Sequence, residues 1–331
     1  MKRSWGSYWL LFTGLLGLVA PWLVGPEGIY PWPAGSFDSA AGIPPFQQGH
    51  LLGTDGYGRD VLAGLIQACR SAWALCLPSA FFAGLVGIIL GILELGLSRK
   101  SMSVHLPALL VGLFVGLIMV LFKENFEMLG LNSMYLFLLP LAVYFAVSSV
   151  FPKAKRWRGG SSVLEASRII ITSIPGLWLL LMFSDQMQKN YVGLIVLIAC
   201  TSWVGMARLT RSEGMRLLQA EWMMAAGSLG FIGWRFWFNH LFRNIFPAIW
   251  PAWLSIFAGC LLLESSLAFL GVGLPDHHIG WGSMLRHGKD FLHLWWVMLM
   301  PAIFLSLTIG AAFHLIFSLK ANPNKQQMHN V

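Results

Sequence analysis

The chain has 331 residues, of which 56% are hydrophobic and 11% charged, with a mean hydropathy of +0.67. An average soluble domain carries roughly 25% charged residues, so the composition excludes an ordinary soluble enzyme or binding module. The net charge of +8 is better read as membrane topology than as nucleic-acid binding, because Lys and Arg gather in the cytoplasmic loops of membrane proteins.

Several apolar runs reach the roughly 20 residues that cross a bilayer as a helix. They are continuous and do not alternate with period two, which favours helices over a barrel. A basic start, MKRSW, leads into a first span ending near Gly25. No small-residue cleavage site precedes PEGIYPWP, so this span is read as retained and not as a signal peptide. Residues 26–69 are polar and contain LLGTDGYGRDVL. A second span covers about 71–97 and ends at Ser98-Arg99-Lys100. A third and a fourth cover about 105–122 and 134–151, followed by the basic run PKAKRWRGG. A fifth covers about 166–183 and a sixth about 191–206. A long loop with EWMMAAGSLG follows, then a seventh span over about 247–263. A polar and aromatic stretch, 264–294, precedes an eighth span ending near Leu319. The expected fold is an all-α polytopic membrane protein with about eight transmembrane helices. Cys69, Cys76, Cys200 and Cys260 lie in or beside spans and form no CxxC, so they read as small packed residues.

With the N-terminus inside, the inner segments hold sixteen of the twenty-two Lys and Arg residues and the outer segments six. The positive-inside rule therefore puts both termini and EWMMAAGSLG in the cytoplasm, and GTDGYGRDVL outside. In the inner loop, Glu221 complements the dipole of a helix start. Ala225 and Ala226 favour helix and leave a shallow surface, and Gly230 permits a sharp turn. Two uses fit such a helix: a docking surface for another protein, or an interfacial helix anchored by Trp222, Trp234, Phe236 and Trp237.

Met224-Ala225-Ala226, three residues and then Gly230 resemble the EAA loop of importer-type ABC transporter permeases. In that family the loop forms the coupling helix that docks on the ATP-hydrolysing subunits. Met224 stands where the family's triplet begins with Glu, while Glu221, four residues before the first alanine, matches. Phe242-Arg243 replaces the usual Leu-Pro pair, and His240, Asn244 and Pro247 fit the peptide and nickel branch. Gly53-Thr54-Asp55, two residues, then Gly58-Arg59-Asp60-Val61-Leu62 resemble the signature of the dipeptide, oligopeptide and nickel permeases, specifically the C-type subunit, and Cys69-Arg70-Ser71 continues it. A third match runs from Glu264-Ser265-Ser266-Leu267 to Gly273, then Trp281-Gly282-Ser283-Met284-Leu285. The resemblance covers roughly 1–97 and 160–320. It implies a six-helix permease core, with the segment 101–160 as an extra hairpin that either decorates the lipid face or meets a partner subunit.

The organisation expected is a first part, 1–97, an inserted hairpin, 98–160, a permease core with the coupling loop, 161–320, and a cytoplasmic tail, 321–331. In the outer motif, Asp55 or Asp60 can pair with Arg59 and cap the second span, or the motif can meet an external binding protein. Glu264, at the outer end of the seventh span, is a pathway candidate or a structural hydrogen-bonding group. Asp276, His277, His278, His287 and His293 are irregularly spaced, and read as a solvated outer loop and not as a metal site. No P-loop is present and no catalytic constellation appears, so ATP and Mg would belong to partner subunits. The resemblance implies a non-enzymatic permease subunit in the cytoplasmic membrane of a bacterium or archaeon. Its partners would be a second homologous permease, two ATP-binding subunits and an extracytoplasmic substrate-binding protein, within membrane lipid. Di- or oligopeptides are the first cargo expected and nickel or a metal chelate the second. A non-transporting scaffold or sensor with a permease fold is the reading from another class.

Overall fold

A computed structural model describes residues 5–24, 42–99, 191–221, 242–272 and 279–320, the side chains of 96–99 excepted. The described helices are α1 (Trp5–Val24), α2 (Val61–Arg99), α3 (Tyr191–Leu218), α4 (Arg243–Phe269), α5 (Trp281–Gly288) and α6 (Trp295–Lys320), with a 3-10 turn over Lys289–Phe291. Five of them, all but α5, are long and apolar enough to cross a membrane. They contain the first, second, sixth, seventh and eighth spans expected from hydropathy. The third, fourth and fifth, at 105–122, 134–151 and 166–183, lie outside the described residues, and so does the hairpin that the third and fourth would build.

The helices run longer than the apolar runs. α2 begins ten residues before Ser71, because Asp60 caps it there. Its 39 residues rise about 58 Å at 1.5 Å each, well beyond the roughly 30 Å hydrocarbon core. α3 continues past Met206 to Leu218, and its polar end is supported by a Glu213–Arg216 pair at 2.7 Å with i, i+3 spacing. α4 extends to Phe269, so Glu264 sits within the helix and not in the loop after it.

The residues divide into two compact units. The first holds α1, the loop before α2, α2 to Gly84, α3 to Ser202, α4 from Trp250, α5 and α6. Here α1 buries Gly6, Leu10, Thr13, Gly17, Ala20 and Val24, a stripe with alternating steps of four and three, the seam of one helix face. The glycines of that stripe let backbones meet. A Cβ at Gly6 would collide with the Ala311 carbonyl of α6, and one at Gly17 would lie 3.2 Å from the Arg70 backbone of α2. Trp9 adds a hydrogen bond from Nε1 to Thr308 Oγ1 (3.2 Å) and a ring contact with Phe304. Trp73 of α2 packs on Phe257 of α4, their rings 5.1 Å apart.

The second unit holds the rest of α2, α3 from Trp203, and the start of α4. A Cβ at Gly87 would lie 2.6 Å from the Trp203 carbonyl oxygen, and one at Gly91 would lie 2.8 Å from that of Ala207. On α3, Gly214 leaves room for the Leu95 side chain. The two helices thus touch along successive turns.

Replacing Gly17 by Leu should cost about 1–3 kcal/mol of stability through overpacking, lowering the melting temperature in detergent. Gly205, which faces open space, should accept Ala without loss. A thermal scan of both variants checks the pair.

Candidate functional site

The Gly53–Asp60 motif is a tightly bonded turn held by its own polar residues. Thr54 and Ile43 exchange bonds: Thr54 N–H donates to the Ile43 carbonyl (3.0 Å), and Ile43 N–H donates to Thr54 Oγ1 (2.9 Å). Gly53 is required at the crossing, with φ 76° and no room for a Cβ beside the Ile43 carbonyl. Asp55 Oδ1 accepts from the N–H groups of Tyr57 (2.9 Å) and Arg59 (2.8 Å), an Asx turn. Gly58, with φ 83°, donates to the Asp55 carbonyl. Burial raises the pKa of Asp55, against the Arg59 N–H, the Arg59 charge and the Tyr57 N–H, which lower it. Asp60 Oδ1 accepts from Leu62 N–H (2.8 Å) and Ala63 N–H (3.1 Å), capping α2. Its other oxygen pairs with His50 Nδ1 at 2.8 Å. The two aspartates therefore divide the roles: Asp60 caps the helix, and Asp55 faces Arg59 at 3.7 Å.

This turn is held by the elements around α5. Trp296 Nε1 donates to the Thr54 carbonyl (3.0 Å). Arg59 lies over the Tyr57 ring, 5.1 Å from its centroid, and Tyr57 meets Phe291 edge-on at 5.1 Å. A cavity of about 30 Å³ lies among Asp55, Arg59, Asp60, Ser283, His287 and Val297. That is space for a water or two and not for a substrate.

Glu264 is buried near the start of α5. Ser265 Oγ donates to its Oε2 (3.2 Å), and a Cβ on Gly280, just before α5, would lie 3.0 Å from its Oε1. Gly280 N–H donates to Ser283 Oγ (2.8 Å), and the Ser283 hydroxyl donates to the Gly280 carbonyl (2.9 Å). Gly282 lies against the Ser265 backbone so closely that a Cβ would clash. Beside it, Trp281 is fully buried. α4 itself ends in a Schellman turn, with Gly271 at φ 80° donating to Ala268 and Val272 donating to Leu267. The two pieces of the third sequence motif, Glu264-Ser265-Ser266 and Trp281-Gly282-Ser283, are thus brought into one contact.

Of the residues expected in the coupling loop, Glu221 is exposed just beyond α3, and Asn244 and Pro247 lie half-buried in the first turns of α4. Ala225, Ala226, Gly230 and His240 lie outside the described residues, as do Asp276, His277 and His278. Among the described residues, no group of three His, Cys, Asp or Glu is arranged to hold a metal. One charged contact was missed by the sequence reading. Glu94 of α2 is 1% exposed and its Oε1 lies 3.1 Å from Arg211 Nη1 of α3. The signal available was a lone carboxylate inside the apolar run GIILGILELG, a position where an ionisable group needs a partner.

The profile of the family described as binding-protein-dependent transport system inner membrane component matches residues 139–319. The chain belongs to that family. The match begins inside the stretch 98–160 assigned to the extra hairpin, and it includes the whole of EWMMAAGSLG. The permease is 25% identical over 313 residues to the di/tripeptide transport system permease protein DppC of Pseudomonas aeruginosa (strain UCBPP-PA14), covering 92% of this chain and 82% of that protein. It is 26% identical over 184 residues to the dipeptide transport system permease protein DppC of Bacillus subtilis (strain 168), covering 54% and 57%. It is 30% identical over 184 residues to the peptidoglycan transport system permease protein YejE of Agrobacterium fabrum (strain C58 / ATCC 33970), covering 55% and 48%.

Asp60→Ala should destabilise the permease by about 1 kcal/mol through loss of the cap. Asp60→Asn, which keeps the accepting oxygen, should recover most of it. Denaturation of the purified protein in detergent checks both, and equal losses would mean that the His50 contact, not the cap, sets the cost.

Proposed function

We propose that this permease is the translocation subunit of an ATP-driven importer for di- or oligopeptides. The observation that carries the reading is the family match over 139–319, a range that contains the EWMMAAGSLG loop. Peptide cargo rests on relatives named for dipeptide and di/tripeptide transport. Two ATPase subunits bind the inner loop, with ATP and Mg held by them. A second permease completes the pathway, and an external binding protein delivers the peptide. Glu221, Ala225, Ala226 and Gly230 form the docking helix, followed by His240, Asn244 and Pro247 on the way into α4. The N- and C-termini face the cytoplasm. The chain itself catalyses no reaction.

Closure of the ATPase pair moves the docking loop, and the loop moves the helices that flank it. For this motion to drive import, the bundle must have two states, which ATP and substrate favour differently. Gly53, Thr54, Asp55, Gly58, Arg59 and Asp60 brace the outer mouth. In this reading Glu264 holds the outer loop in place where the pathway opens.

The test is co-expression with the neighbouring genes, purification of the complex and peptide uptake into proteoliposomes. Wild type should bring down ATPase subunits and take up peptide only with ATP inside the proper compartment. Ala226→Arg should lose the ATPases or leave hydrolysis running without uptake. Normal uptake by an assembled Ala226→Arg complex would remove the docking role, and absence of any ATPase from the wild-type preparation would overturn the importer reading.

A further inference from the structure

Glu94 and Arg211 form a charged contact that the importer reading does not use. Glu94 is buried near the end of α2 and Arg211 is half-buried, 3.1 Å away, near the end of α3. A carboxylate in such surroundings is retained only with a close partner. The pair does not stand alone. Gly87 and Gly91 of α2 leave no room for a Cβ against the Trp203 and Ala207 carbonyls, and Gly214 of α3 admits the Leu95 side chain. In chain order the contacts step along both helices together: 87 with 203 and 206, 91 with 207 and 210, 94 with 211, and 95 with 214. Glycine contact alone fixes how closely the two backbones approach. It carries no charge or hydrogen bond that would favour one register over another. A charge pair inside the same seam adds direction, since moving either helix would draw the buried Glu94 carboxylate away from the Arg211 guanidinium.

The position of the pair matters for function. Arg211 lies ten residues before Glu221 on the chain, at the foot of the helix that leads into the docking loop. We infer that the Glu94–Arg211 pair is a positioning contact that locks α2 to α3, so that displacement of the docking loop moves the two helices as one body. Without it, α3 moves against α2 and the work of ATP closure is lost as local slippage. This inference rests on the importer reading and adds to it a second helix driven by the same loop.

The test uses the whole complex in proteoliposomes, with peptide uptake and ATP hydrolysis measured together. Single variants such as Glu94→Gln change the charge balance of the buried seam and can fail to fold. The informative variant is Glu94→Met combined with Arg211→Met, which removes both charges and keeps side-chain volume. It should assemble with its partners and keep basal ATP hydrolysis, while peptide taken up per ATP falls by roughly tenfold or more, the size of an ordinary coupling between sites. The exchanged pair, Glu94→Arg with Arg211→Glu, should restore much of the ratio, because the contact is made again with the charges reversed. Wild-type uptake per ATP in the double Met variant would overturn the inference and leave the importer reading standing. Failure of the double Met variant to assemble would also overturn it, by making the pair a contact that holds the fold. Absence of ATP-driven uptake in wild type would sink the importer reading, and this inference with it.

Discussion

Close approach of helix backbones at glycine is the constraint on which the rest of the described structure depends. In lipid, apolar side chains gain nothing by leaving one apolar surface for another, so helices associate by packing and by buried polar contacts. Gly6 and Gly17 supply the packing for α1, and Gly87, Gly91 and Gly214 supply it between α2 and α3. Two of the polar contacts in the seams join groups on different helices. Thr308 receives the Trp9 indole N–H, and Glu94 meets Arg211. Those contacts give direction to interfaces that glycine makes only close.

The Gly53–Asp60 motif obeys the opposite logic. Its backbone is irregular, so its order comes chiefly from hydrogen bonds. Asp55 and Asp60 each organise a turn of chain through side-chain oxygens. Trp296 and Phe291 then cover the result. Arg59, the charge that attracts a functional reading, lies over Tyr57 and beside Asp55. A sequence motif rich in Gly, Asp and Arg can thus be specific because one turn geometry demands each residue, whether or not anything binds there.

Much of this was legible in the sequence. The continuous apolar runs announced the five membrane-length helices among the described residues, and the positions of two aspartates announced a cap and an arginine contact. Helix ends were less legible, because hydropathy stops where charge begins while hydrogen bonding continues. α3 runs on through Arg208, Arg211 and Arg216 for that reason, and α4 carries Glu264 inside its last two turns. The contact of Glu264-Ser265 with Gly280-Trp281-Gly282 could not be read from spacing, since it joins two segments through a loop of free length. Glu94 was visible as an oddity, but its partner lies 117 positions away, and no local pattern names it.

The seam of α1 has a consequence for the order of assembly. α1 is made before the other described helices, yet its buried stripe meets Ala311 and Thr308 of α6 at one end and the Arg70 backbone of α2 farther along. The last described helix must therefore reach the bilayer before the first can settle. During synthesis, α1 waits with Gly6 and Gly17 turned to lipid, a surface that costs little to leave uncovered because it carries neither charge nor unpaired backbone. The earliest of the described spans thus completes its contacts only after the latest of them has arrived.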